Sequence, residues 1–91
     1  MNALIIYAHP EPASFNGALK DGAVAAIVAA GHQVEVSDLY GERFNPVAGR
    51  HDFTTVADPA RFHYQGEQML ATQQDGFSDE IKREHARVNR A

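Results

Sequence analysis

An imidazole, a hydroxyl, an aromatic ring and a carboxamide lie close together near the start of the chain, at His9, Ser14, Phe15 and Asn16. Ser14 is a good helix N-cap. A helix that opens directly after a strand turns its free backbone N–H groups and the positive end of its dipole toward one point. With the ring nitrogen, hydroxyl and amide beside it, such a point is an anion site, and a phosphate-bearing ligand is its natural guest, a pyrophosphate above all. By spacing alone, Ser14 as a plain N-cap and Asn16 as a surface residue account for the same letters. The loop contains neither G-x-G-x-x-G nor G-x-x-x-x-G-K-S/T, so the dinucleotide fingerprint and the nucleotide-hydrolysing phosphate loop are both absent.

The other polar candidates have plainer readings. His32 follows a helix-ending glycine and reads as surface, and His85 reads as a packed residue on a helix. His51 beside Asp52 lacks a second ligand pair at metal-binding spacing, so no metal site is expected. Asp38 reads as a turn former rather than a ribose ligand, because the glycine fingerprint that would accompany that role is missing. Arg83, Arg87 and Arg90 interleave with Asp79, Glu80 and Glu84, which predicts a solvated, salt-bridged helix face.

The elements that must position the site follow from the hydrophobic pattern. Ala3–Ala8 is a continuous apolar run, as in a strand covered on both faces at the centre of a parallel sheet. Pro10 and Pro12 bar regular helix from the next residues. A helix then opens near Ser14, with the apolar series Phe15, Leu19, Ala23, Ala26, Ile27 and Ala30, and ends at Gly31. Gln33–Ser37 alternates, Val34 and Val36 against Gln33, Glu35 and Ser37, which predicts a strand with one wet face. Strand, helix and strand make a right-handed βαβ unit with parallel strands. From Asp38 to Pro59 the punctuation by Gly and Pro predicts loop with at most short helical turns. Gln65–Gln74 is expected to form a short helix anchored by Met69 and Leu70 and stopped near Gly76. Ser78 opens a last helix, acidic in its first turn and with Arg87 and Arg90 in its last, whose inward stripe is Ile81, His85 and Val88.

With 91 residues and 44% apolar content, the chain has the size and composition of one small globular unit. The net charge of −4 argues against nucleic-acid binding. The absence of cysteine removes disulfides and thiolate chemistry and fits a cytoplasmic protein. No apolar run reaches membrane-spanning length, so no membrane insertion is expected. A central-type strand needs neighbours on both edges, yet only one other strand is legible. The chain therefore reads as the truncated first part of a larger α/β protein.

The residues in order resemble the N-terminal part of the flavodoxin-like NAD(P)H:quinone oxidoreductase family, the DT-diaphorase-like proteins. The shared pattern begins A-H-x-x-x-x-S-F-N, here Ala8, His9, Ser14, Phe15 and Asn16. It continues through Ser37, Asp38, Leu39 and Tyr40, then Phe44, Asn45 and Pro46, then Arg50 with Asp52, then Asp58, Pro59 and Ala60, then Phe62 with Tyr64, and into the Ser78 helix. The resemblance implies an α/β fold, the βαβ start of a doubly wound parallel sheet, with residues 1–91 a partial flavin-binding domain. It implies FAD rather than FMN as cofactor, NAD(P)H as co-substrate, a quinone-like acceptor and a homodimer for the full-length form. His9, Ser14, Phe15 and Asn16 are then cofactor contacts. His63, standing where the family has a glutamine, is a fifth that still donates a hydrogen bond. No catalytic residue carries over, since the family's flavin-stacking aromatic segment and its later Tyr and His would lie beyond Ala91. Flavodoxin-like relatives also include ancillary subunits of potassium-efflux systems, so a regulatory role and an inert fragment stand as alternatives.

Overall fold

The computed structural model describes residues 1–91. The elements run β1 (Asn2–Tyr7), α1 (Phe15–Ala29), β2 (Gln33–Asp38), a 3-10 turn (Arg50–Asp52), α2 (Tyr64–Gln74) and α3 (Asp79–Arg90). They fall into two compact units, one of Met1–Phe44 with Ala86–Ala91 and one of Asn45–His85.

In the first unit β1 and β2 pair in parallel, in register from Asn2 opposite Gln33 to Tyr7 opposite Asp38. The α/β, βαβ expectation is met. The crossover ends as the sequence predicts: Gly31 has φ 85°, its N–H donates to the Val28 carbonyl at 3.0 Å, and the His32 N–H donates to the Ile27 carbonyl at 3.2 Å. That pair of bonds is a Schellman cap, and the left-handed residue at its centre favours glycine. Asp38 is the expected turn former, its Oδ1 accepting from the Gly41 N–H at 2.9 Å.

The face of α1 turned from solvent differs from the expected one. Gly17, Lys20, Val24 and Ile27 are withdrawn from solvent, whereas Phe15 is 78% and Leu19 56% exposed. Spacing of three, four and three makes this a proper helical face. It is selected by the close approach at Gly17, after which the helix period sets every later position. Lys20 lies on this inward face with its ammonium 5.1 Å from the centre of the Tyr7 ring and paired with Asp21. The stem covers the ring while the charge reaches water.

Parallel register puts Ala3, Ile5 and Tyr7 on one face with Val34 and Val36, and Leu4 and Ile6 on the other with Glu35 and Ser37. That second face departs from expectation twice. Ser37, expected on a wet face, is fully buried, whereas Ile6, expected to be covered, is 63% exposed. The end of α3 explains the first departure. Arg87 grips Glu42 with both guanidinium nitrogens at 2.9 and 3.0 Å and donates to the Ser37 hydroxyl at 3.3 Å. Arg90 grips Glu35 at 2.7 and 2.8 Å. Both arginines thus bind acids outside their own helix, while within the helix Arg83 pairs with Glu84 at 3.5 Å. Of the expected inward stripe, Ile81 is half-buried, whereas His85 is exposed and Val88 is 56% exposed. A strand face carrying Glu35 and Ser37 selects guanidinium groups from the helix rather than its few apolar side chains.

The Arg90 hydrogen bond holds the Glu35 carboxyl below its ordinary value, with desolvation opposing. A depressed folded-state pKa contributes stability above the unfolded value that is lost as pH falls through the folded one. The pair is solvent-exposed and screened. Lowering the pH from 5 to 3 should therefore reduce the thermal stability difference between the parent chain and its Arg90→Ala variant toward zero. The difference should already be small in 1 M salt, as thermal unfolding would show.

The second unit is organised by buried carboxylates rather than by an apolar stripe. Asp52 is 4% and Glu67 1% exposed, while Met69, an expected anchor of α2, is 67% exposed. Glu67 accepts from the Ala57 N–H at 3.1 and 2.9 Å and from the Asp58 N–H at 3.4 Å, with Arg50 at 3.7 Å. Asp52 accepts from the Tyr64 hydroxyl at 2.9 Å. Burial first, and that hydrogen bond second, push the Tyr64 phenol above its usual pKa. Around them Phe53, Phe62, Tyr64 and Phe77 meet ring to ring, and His85 stands edge-on to Phe77 at 5.1 Å. Helix α2 ends one residue before the expected glycine, on Asp75 at φ 54°. Gly76 instead admits Thr55, whose Cγ2 would lie 2.6 Å from an added Cβ.

Candidate functional site

The residues from which the sequence analysis expects an anion site lie at the end of β1, in the loop that follows and in the first turn of α1. Ser14 adopts φ −70° and ψ 167° and caps α1, its Oγ accepting from the Gly17 N–H at 3.1 Å. Its own hydroxyl proton remains for an oxygen of a ligand. The N–H groups of Phe15 and Asn16, in the first turn, have no acceptor within the helix. No acidic residue occupies that turn, whereas α2 has Glu67 and α3 has Asp79 and Glu80 there. The positive end of the α1 dipole is therefore uncompensated.

His9 is held by its own loop. The Glu11 N–H donates to its Nδ1 at 3.0 Å, so the neutral ring carries its proton on Nε2, a donor for an anion. The Ser14 N–H closes the loop onto the Glu11 carbonyl at 3.1 Å. His9, Ser14, Phe15 and Asn16 are thus brought together on one loop and helix start. His63 lies in the second unit, exposed, at the N-cap of α2, where its side chain makes no capping bond.

Two residues that the sequence pattern passed over complete the loop's support. Gly17 is buried, and a Cβ added there would collide with the Pro12 carbonyl oxygen and come 3.3 Å from the Tyr7 hydroxyl. Tyr7 is 8% exposed, and its hydroxyl has no hydrogen-bond partner. The available signals were a glycine in the first turn of a helix, where it weakens the helix, and a phenol in an otherwise aliphatic strand. Gly17→Ala should force the Pro12 carbonyl off the helix and lower stability by about 1–3 kcal/mol, the usual range for overpacking. Chemical denaturation measures the loss, and Gly22→Ala, whose added Cβ meets nothing within 4 Å, is the control.

A family model described as the flavodoxin-like fold matches residues 1–91. NAD(P)H dehydrogenase (quinone) 1 of the guinea pig, Cavia porcellus, is 43% identical over 90 residues, which are 98% of this chain and 33% of that protein. Human ribosyldihydronicotinamide dehydrogenase (quinone) is 42% identical over 89 residues, 97% of this chain and 38% of that protein. A solved structure from Klebsiella pneumoniae, described as a candidate quinone reductase, superposes with a TM-score of 0.85 at 38% identity, over 97% of this chain and 34% of that one. The chain spans about a third of the length of the curated relatives it matches. With the family match over its whole length and the parallel βαβ start, the chain belongs to the flavodoxin-like fold family.

Proposed function

We propose that residues 1–91 are the flavin-holding start of a cytoplasmic, homodimeric NAD(P)H:quinone oxidoreductase, with FAD rather than FMN as its cofactor. The observation that carries this reading is the N-terminus of α1, which has no acidic residue in its first turn and is flanked by the His9 ring. Those groups fit a pyrophosphate: two first-turn N–H donors, a hydroxyl proton on Ser14 and Nε2–H of His9 all suit oxyanions, and none is a carboxylate that would repel them. When bound, the flavin supplies the redox chemistry, taking hydride from a nicotinamide and passing two electrons to a quinone-like acceptor.

The chain's own part is to bind and orient. Ser14 holds the first turn open at its N-terminal end, and the loop bond from Glu11 keeps the His9 ring in one tautomer. Phe15, exposed beside these donors, offers a ring to the cofactor's apolar portion. His63 is assigned to the same cofactor through its place in the family pattern, as a hydrogen-bond donor.

Titration of the chain with FAD should quench flavin fluorescence. ADP should compete, and riboflavin, which lacks phosphate, should not bind at this loop. No quenching by FAD, or equal binding of riboflavin, overturns the reading.

A further inference from the structure

The phenol of Tyr7 is the polar group in the first unit that its surroundings leave unanswered. Its ring is packed beneath α1 and covered by the Lys20 stem, and its hydroxyl, shielded from solvent, has no hydrogen-bond partner. A buried hydroxyl without a partner is a standing disadvantage that most folded chains avoid. The Pro12 carbonyl is its neighbour. That oxygen and the Tyr7 hydroxyl both lie close to the point where a Cβ on Gly17 would stand, and only the missing side chain lets them share that space.

The intervening peptide couples this pair to the ligand side of the loop. Proline locks φ at Pro12 but leaves ψ free, so the Pro12–Ala13 peptide can rotate as a plane. In a trans peptide the carbonyl and the following N–H point in opposite directions. Turning the Pro12 oxygen inward onto Tyr7 therefore turns the Ala13 N–H outward. That N–H makes no hydrogen bond within the loop. It is one residue before the Ser14 cap, beside the first-turn donors of α1.

We infer that Tyr7 is a positioning residue, a latch whose hydroxyl takes the Pro12 carbonyl when a diphosphate-bearing ligand arrives, and so aims the Ala13 N–H at that ligand. The inference rests on the flavin reading above. It explains why an unpaired hydroxyl is held under the loop, and it places the latch on the side of the loop away from solvent, where it touches no ligand itself.

Tyr7→Phe removes one oxygen and nothing else. It should raise the melting temperature of the ligand-free chain, because a buried unpaired hydroxyl is lost, and should weaken FAD binding about 3- to 10-fold, the range of one neutral hydrogen bond. In amide hydrogen exchange, FAD should protect the Ala13 N–H in the parent chain and protect it less in the variant. A purely structural role would move stability and affinity in the same direction, and that outcome overturns the latch. Unchanged FAD affinity in the variant, with normal binding by the parent, also overturns the latch and leaves the flavin reading standing. Failure of the parent chain to bind FAD overturns both.

Discussion

Glu67→Ala is expected to lower the stability of the chain by about 2–4 kcal/mol and to release amide protons at Ala57 and Asp58. The carboxylate is 1% exposed and collects both of those N–H groups, and Arg50 stands 3.7 Å away. Truncation strands the partly buried donors, and it leaves the Arg50 guanidinium with only the Asp58 carbonyl and the Phe62 ring. A loss of that size is a large part of the roughly 5–15 kcal/mol that holds a typical domain together. Glu67→Gln keeps one acceptor oxygen and should lose about half as much. Urea denaturation followed by hydrogen exchange reads both quantities. A Glu67→Ala chain as stable as the parent would show that Ala57 and Asp58 are ordered by something other than this carboxylate.

Arg87→Ala should have the second largest effect, about 2–3 kcal/mol, through loss of a two-pronged grip on Glu42 and of the bond to the buried Ser37 hydroxyl. The Arg87 side chain is 16% exposed and that of Glu42 27%, so this pair is screened much less than Arg90 with Glu35, at 55% and 42%. Arg87→Lys keeps the charge but not the planar fork, and should recover only part of the loss. The contrast to measure is between Arg87→Ala and Arg90→Ala in low and high salt. The Arg87 effect should persist in 1 M salt and the Arg90 effect should not. Equal, salt-sensitive losses would mean that Arg87 also acts as a surface ion pair.

Both variants lie outside the loop at His9–Asn16, and the one link to a proposed cofactor contact is a backbone bond, the Glu67 N–H donating to the His63 carbonyl at 3.0 Å. Their chemistry is nevertheless of a kind that a pattern of apolar and polar letters does not reveal. A glutamate in a helix's first turn reads as a dipole partner, and arginines in its last turn read the same way. The reading of the arginines is correct as far as it goes, since Arg87 and Arg90 do occupy the last turn of α3.

What the sequence determined by itself is local. The N-cap at Ser14, the left-handed stop at Gly31, the turn at Asp38 and the parallel βαβ start all depend on residues a few positions apart. Backbone dihedral preferences and short-range hydrogen bonds act over that range. The tertiary structure decided what depends on distant neighbours. It chose Gly17 rather than Phe15 and Leu19 as the face of α1 against the sheet, because only a bare Cα admits the Pro12 carbonyl. It buried Ser37 under an arginine 50 positions along the chain, and it buried Glu67 under backbone N–H groups 9 and 10 positions away. Polar side chains are assigned to the surface by default, and only the partners brought to them by folding can reverse that assignment. Tyr7 is the clearest case: its letter marks it as part of a strand, and only in three dimensions is its hydroxyl seen to be buried without a partner.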